Sequence, residues 1–357
     1  MSTSEPVRGR GSAGNPRNRF IPLYREAIPG WTEEGDPAPR TRFFRDDAKT
    51  VLATNNSPDI PFTFSLNPYR GCEHGCSYCY ARPGHEYLGL SAGLDFETRI
   101  FVKEDAPERL RAELSSRKWV PQTVSLSGVT DPYQPIERRL ELTRRCLKVF
   151  AEFRNPVGIV TKNALVARDK DVLGELSKYN AAAVFLSITT LDPDLSRTME
   201  PRASIPEARL RAIRELTDAG IPTGILMAPV IPGLTDHEAP AILEAAAKAG
   251  ARTAGYVPLR LPFAVKDLFT DWLERHYPER KERVLGRIRG IRGGKLNDST
   301  FGRRMRGEGE WSELFSRMFK LHHKRVGMSD DGPELSAAHF TTGRPRQGEL
   351  FADPDES

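Results

Sequence analysis

From residue 62 onward, short apolar runs alternate with longer stretches in which apolar positions recur every three or four residues. The runs at 62–67, 123–129, 157–161, 183–189, 222–230 and 253–259 read as strands. Being apolar on successive residues, they predict strands buried on both faces. The periodic stretches at 106–118, 136–153, 165–179, 206–219 and 240–249 read as helices, and Gly220 and Gly250 follow the last two, where helices commonly stop. Alternation of this kind predicts an α/β fold of parallel strands joined by right-handed helical crossovers. The pattern leaves two closures open, a partial barrel or a doubly wound sheet. Either one gathers functional side chains at the carboxyl ends of the strands.

The flanks differ in texture. Residues 1–60 are rich in Gly, Pro, Arg and Asn without a sustained period, which predicts a flexible or loosely draped N-terminal arm. Inside it, Gly9-Arg10-Gly11-Ser12-Ala13-Gly14 matches a G-x-G-x-x-G string. No strand precedes that string and no helix pattern follows it, so a dinucleotide-binding role is rejected. After the core at 61–262, helical spacing returns at 265–277 and around 311–322, giving a basic, mostly helical C-terminal extension over 263–326. Residues 327–357, rich in Gly, Pro, Asp and Ser, predict a disordered tail.

Composition narrows the class. A chain of 357 residues, 38% hydrophobic and 28% charged, has length for a large core and reads as soluble. No apolar run approaches the length of a membrane span, and residues 1–19 hold arginines but no apolar core of a secretory signal. Three of the four cysteines cluster in one short stretch, which argues for a reducing compartment, and the cytoplasm is the expected location. The net charge of +5 is uneven: between Arg275 and Arg306 eleven Lys or Arg face three acids, +8 in all, leaving −3 for the rest. That segment is Arg/Gly-rich over 287–295 and 303–306, with Tyr277, Phe301 and Trp311 near it. It suits a polyanion, a nucleic acid first, against the plainer reading of a solvated basic surface.

The chemistry concentrates at 69–80, where Cys72, Cys76 and Cys79 are spaced Cys-x3-Cys-x2-Cys. Thiolates this close repel one another unless a metal centre takes up their charge. Gly71 and Gly75 give the loop the freedom to wrap a ligand. Three thiolates suit a cubane iron–sulfur cluster, normally held by four, with one iron left open. A structural zinc site would need a fourth donor from His74, His85 or Cys146, and it defines the alternative of a zinc-dependent nucleic-acid-binding protein without catalysis. Cys146 lies mid-helix and reads as core packing.

With Tyr78 before its third cysteine, this spacing resembles the signature of the radical S-adenosylmethionine (SAM) superfamily, over about residues 62–262. The resemblance implies a partial (β/α)6 barrel with the cysteine loop after the first strand. It also implies a [4Fe-4S] cluster on Cys72, Cys76 and Cys79, SAM as cofactor, and an electron donor such as flavodoxin or ferredoxin. The activity implied is reductive cleavage of SAM to a 5′-deoxyadenosyl radical that abstracts hydrogen, in a reaction of lyase or transferase type. SAM contacts are expected from Tyr78 near the adenine or shielding the cluster, Thr130 and Asp131 toward the amino group, Lys162 toward the carboxylate, and Ser187 toward the ribose or carboxylate. Met227-Ala228-Pro229 would line the adenine pocket. His85, Glu86, Tyr133 and Gln134 receive no role. Cys79-Tyr80-Ala81-Arg82 and 130–137 (TDPYQPIE) are similar to the spore photoproduct lyase-like branch. That branch's well-known member repairs a thymine dimer lesion with a hydrogen-donating cysteine near the end of the second strand. Here 125–129 reads Ser-Leu-Ser-Gly-Val, so the resemblance carries the architecture and not that reaction. Nucleic acid is the favoured substrate class, and a protein or small metabolite the alternative.

Overall fold

The computed structural model describes residues 7–21 and 40–342. Its ten strands are β1 (Arg42–Arg45), β2 (Leu52–Thr54), β3 (Phe64–Leu66), β4 (Tyr69–Arg70), β5 (Arg99–Val102), β6 (Val124–Leu126), β7 (Val157–Thr161), β8 (Ala182–Ser187), β9 (Thr223–Val230) and β10 (Thr253–Pro258). The main sheet runs β2-β3-β6-β7-β8-β9-β10, with β3 to β10 parallel and β2 antiparallel at one edge. Strand order in the main sheet therefore follows chain order, with β4 and β5 set aside between β3 and β6. A doubly wound sheet would reverse its order partway, so the closure is decided in favour of a singly wound, partial (β/α)6 barrel that stays open between β2 and β10. A second, small sheet, β1-β5-β4, stands beside the first parallel strand.

The helices are α1 (Leu94–Thr98), α2 (Ala106–Leu114), α3 (Glu137–Leu140), α4 (Leu142–Phe153), α5 (Lys170–Ser177), α6 (Pro193–Met199), α7 (Pro206–Asp218), α8 (Ala239–Lys248), α9 (Val265–His276), α10 (Pro278–Ile291) and α11 (Gly309–Arg325). The helix expected over 136–153 is broken at Glu141, whose φ is +48°. The break lets the Glu137 carboxylate accept from the first N–H groups of α4, at Thr143 (3.0 Å) and Arg144 (3.3 Å), where an anion is favoured. The stretch at 165–179 opens as a 3-10 turn, Ala164–Asp169, before α5 begins.

Two expectations for the flanks, the arm and the tail, are corrected over the described residues, while residues 1–6, 22–39 and 343–357 lie outside them. Residues 7–21 are tied down: Gly11 and Ser12 donate to Glu97, Asn15 pairs with Asp95, and Arg19 meets the buried Glu86 at 2.6 Å. Residues 42–45 and 52–54 add strands to both sheets. The absence of hydrophobic period misled because this anchoring is by hydrogen bonds to carboxylates. The C-terminal extension belongs to the same fold. Phe315 and Phe319 of α11 pack on Tyr256 of β10, while α9 and α10 bury Phe269, Trp272, Leu273 and Ile288 in one cluster with Cys76 and Tyr78. Residues 327–342 run under the barrel, where Ser329 bonds the carbonyl of Arg252, Ser336 that of Asn180 and Thr341 that of Phe153.

Candidate cofactor site at the barrel mouth

The cysteine loop leaves the carboxyl end of β3 through β4 and is held from every side. Cys72 N–H bonds the carbonyl of Phe96 (2.9 Å) and Ser77 N–H that of Met199 (3.0 Å). Gln134, from the loop after β6, accepts from Glu73 N–H (3.0 Å) and donates to the Gly71 carbonyl (3.2 Å). Gly75 sits at φ +68°, and a Cβ there would stand 2.7 Å from a Glu97 carboxylate oxygen, so only glycine fits. Gly11 meets the loop from outside: a Cβ on it would fall 1.7 Å from the Gly75 carbonyl oxygen. The glycine string of the arm is thus a close-packing seam against the cysteine loop.

Two buried charge clusters flank the loop. On the arm side Arg82, wholly buried, donates to the Cys76 carbonyl through Nε (3.0 Å) and Nη2 (2.8 Å), to the carbonyls of Ala92 and Gly93, and to Glu97 at 2.6 Å. On the barrel side Glu200, at the end of α6, accepts from Arg209 of α7, from the Tyr78 hydroxyl and from Thr189 (2.6 Å), with Lys162 Nζ at 3.2 Å. Burial opposes ionisation of Glu200, but the charges of Arg209 and Lys162 outweigh it and hold its carboxyl far below the usual range. Lys162 also reaches the Ala228 carbonyl (3.2 Å) and Thr189 Oγ1 (3.5 Å), and lies over the Tyr78 ring at 5.5 Å.

The other expected contacts all line this end of the barrel. Asp131 is a hub, accepting from Thr161 Oγ1 (2.7 Å), Lys162 N–H (2.7 Å) and Tyr133 N–H (2.9 Å), with His74 Nδ1 at 3.3 Å. Thr130 spends its hydroxyl on the Tyr69 carbonyl (2.9 Å). Ser187 is buried at the end of β8, its carbonyl accepting from Arg209 (2.7 Å). Met227 is buried on β9. His85 and Glu86 serve the scaffold: His85 packs edge-on to Phe96 and bonds the Arg99 carbonyl (2.9 Å), and Glu86 holds the arm. Cys146 is fully buried in the main core.

The donor set fits a cluster. Cys79 packs against both the apolar cluster that holds Cys72 and the one that holds Cys76. All four cysteines are free. Burial pushes the Cys72 thiol well up, and the charges of Asp131, Cys76 and Cys79 push it further, so thiolates here call for a positive centre. A tetrahedral zinc ion needs donors within about 4 Å of one another. Among the described residues, no three His, Cys, Asp or Glu side chains stand close enough to hold one metal ion. A cubane instead takes each thiolate on a different iron.

Sequence reasoning missed Glu200, Arg209 and Glu97, and left Gln134, inside the 130–137 stretch, without a role. The first three lie outside any motif, and only the fold brings them to the loop.

A parallel barrel with two buried cysteines and a third half-buried one in a loop at its mouth suits a metal cofactor. Residues 66–246 match the Radical SAM superfamily, and the chain belongs to it. Members of this superfamily use a [4Fe-4S] cluster and SAM. The chain is 37% identical over 226 residues to the uncharacterized protein Rv2578c of Mycobacterium tuberculosis, spanning 63% of this chain and 66% of that one, just under two thirds of its length. It is 30% identical over 202 residues to the radical SAM Nalpha-GlyT isomerase of Pseudomonas phage M6, covering 56% of this chain and 40% of that protein. In fold it is similar to spore photoproduct lyase complexed with dinucleoside spore photoproduct, with a TM-score of 0.57, 17% identity and 80% of each chain covered.

Proposed function

We propose that this chain is a radical SAM enzyme acting on a nucleic-acid substrate. Cys72, Cys76 and Cys79 would hold the [4Fe-4S] cluster and leave its fourth iron to SAM. Cluster and SAM together supply a 5′-deoxyadenosyl radical for hydrogen abstraction, given an electron from a donor such as flavodoxin or ferredoxin. The chain's own residues fix the loop, exclude water and place charge. Arg82 and Gln134 hold the loop backbone, while Trp272, Phe269 and Tyr78 close the apolar side behind Cys76. Lys162, its side chain 14% exposed and its contacts at 3.2 to 3.5 Å, would turn toward the SAM carboxylate. Tyr78, Thr130, Asp131 and Ser187 complete the wall that faces the cofactor. Four free thiols fit a reducing, cytoplasmic setting, and among the described residues no helix is long and apolar enough to cross a membrane.

The observation that carries the reading is Cys79 touching the surroundings of both other cysteines in a buried, braced loop. The substrate class is supported by the dinucleoside bound in the structure of similar fold. Anaerobic reconstitution tests the enzyme reading. The expected result is a brown protein with about four irons per chain that yields 5′-deoxyadenosine with dithionite and SAM, both lost in Cys76→Ala. A colourless protein holding one zinc, or a Cys76→Ala variant that keeps iron and cleavage, would overturn it.

A further inference from the structure

The eleven cations of 275–306 spend most of their charge within the fold. Arg275, Arg280, Lys281, Arg287, Arg303 and Arg304 form ion pairs, and Arg292 is buried on four backbone carbonyls. A guanidinium left without an anion stands just outside that segment, at the barrel mouth. Arg260 is the second residue past β10, and its neighbours Leu259 and Leu261 are fully buried in the cluster that holds Cys76 and Tyr78. Its backbone is therefore fixed. Among the described residues Arg260 makes no ion pair, its buried Nε has no hydrogen bond, and Nη1 reaches only the Met305 sulfur at 3.4 Å, a weak acceptor. Asp59, the carboxylate whose field it feels, is already taken, accepting from Arg304 Nε (2.7 Å) and Nη2 (2.5 Å) and from Gly302 N–H (3.2 Å).

Burial, then the charge of Arg304, loosens the Arg260 proton. The fully buried Arg82 and Arg209 avoid this position, since each meets a carboxylate. A half-buried cation with nothing to neutralise it costs stability, and an anion supplied from outside recovers that cost. The surroundings say which anion. The Arg260 guanidinium lies 5.4 Å from the centre of the Tyr80 ring, and Tyr80 follows Cys79 directly. That ring is half-exposed and tethered through its hydroxyl to the Gly128 carbonyl of the loop after β6. Next to this pair, Arg304 lies 4.6 Å from the ring of Phe301, also half-exposed. Ring and guanidinium thus occur in two neighbouring pairs. A nucleic-acid strand repeats the complementary features, a flat base and a phosphate whose oxygens match a guanidinium fork.

We infer that Arg260 grips a phosphate of the nucleic-acid substrate at the barrel mouth, with the Tyr80 ring as the platform for an adjoining base. The inference rests on the nucleic-acid reading above and sets the anchor of that substrate one residue past the last cysteine of the loop. An acidic peptide would satisfy the charge but brings no flat group with each carboxylate, so phosphate with a base is favoured.

The test is fluorescence anisotropy of a labelled single-stranded DNA oligonucleotide with the anaerobically reconstituted full chain, over a range of salt, beside SAM titration and urea unfolding of each variant. Arg260→Gln is expected to lose about tenfold in oligonucleotide affinity and to show a salt dependence shallower by about 0.7, the share of one single-strand phosphate contact. Its SAM affinity and iron content should match wild type, and its urea midpoint should be no lower, because the side chain has no anion in the fold to abandon. Arg260→Lys should keep the salt slope and recover only part of the affinity. Tyr80→Leu is expected to lose about fivefold or more without changing the slope. If wild type binds and Arg260→Gln binds equally with the same slope, the anchor is overturned while the nucleic-acid reading stands. A variant that weakens SAM in place of the oligonucleotide assigns Arg260 to the cofactor carboxylate, and one that unfolds at clearly lower urea assigns it to the scaffold; either result overturns the inference. If wild type binds neither DNA nor RNA, both readings fall together. If polyglutamate displaces the oligonucleotide as well as unlabelled DNA does, the site takes an acidic peptide and the phosphate assignment fails.

Discussion

The two charge clusters beside the cysteine loop solve different problems with the same residue types. On the arm side, Arg82 spends every fork of its guanidinium on fixed acceptors, three backbone carbonyls and the Glu97 carboxylate, and Glu97 in turn accepts from Gly11 and Ser12 of the arm. On the barrel side, Glu200 is saturated by Arg209, Thr189 and Tyr78, yet Lys162 divides one ammonium among three acceptors at 3.2 to 3.5 Å. The first cluster has no slack and sets backbone. The second carries a cation that can change partners without leaving a buried charge alone, because Arg209 stays with Glu200. A rigid clamp on one side and an adjustable cation on the other is what a site needs if it must hold a loop and also receive a charged cofactor.

The clamp gives the largest expected effect. Arg82→Leu leaves Glu97 charged and buried with only two N–H donors, and leaves the Cys76 carbonyl without its two bonds. Removing one partner of a buried pair costs about 3–5 kcal/mol, and urea unfolding should show a loss of that size. A loss below about 1 kcal/mol would mean that the clamp is ornamental and the contrast between the clusters void.

The same side carries a pH dependence. His85 is buried under the loop, close enough that a Cβ on Gly71 would stand 2.9 Å from its ring, and burial pulls its pKa from 6.5 down to about 4. The unfolded chain therefore takes up this proton below about pH 6.5 while the folded chain refuses it until about pH 4. Stability from this group is present above 6.5 and is lost as pH falls toward 4, on the order of 2–3 kcal/mol in all. His85→Phe should flatten that part of the stability profile. An unchanged slope between pH 6.5 and 4 in the variant would place the titration elsewhere.

Legibility followed the same division. The six parallel strands and the loop after the first were readable because apolar periodicity and cysteine spacing are local. Barrel against open sheet was not, since strand order is a property of pairing and no residue of β3 or β10 announces its neighbour. Lys162 and Asp131 were expected near the site from the third strand's end and from the resemblance, but their partners in the fold were not legible. Glu200 lies 38 residues beyond Lys162 in an ordinary helix end, and Glu97 lies in a five-residue helix with no motif. The arm misled most. Gly9 to Gly14 has no period because its contacts are backbone N–H groups and bare Cα atoms, which leave no pattern of apolar side chains to read. The basic segment showed its charge in one window, but two of the acids that pair with it, Asp59 and Asp236, lie far off in sequence and could not be read from that window.

The adjustable cation gives the smallest effect and the sharpest comparison. Lys162→Met keeps the stem packed over Tyr78 and removes only the ammonium, so Glu200 retains Arg209, Thr189 and Tyr78. The expected loss in urea unfolding is no more than about 1 kcal/mol, well short of that for Arg82→Leu. On the proposed reading the variant should load iron as wild type does and bind SAM about tenfold more weakly, about 1.4 kcal/mol, in calorimetric titration of the reconstituted protein. Lys162→Arg is expected to recover part of that affinity, because the charge returns on a different fork. Should Lys162→Met instead unfold as readily as Arg82→Leu while SAM affinity is unchanged, Lys162 is a second clamp. The SAM carboxylate must then find its cation elsewhere on the barrel rim.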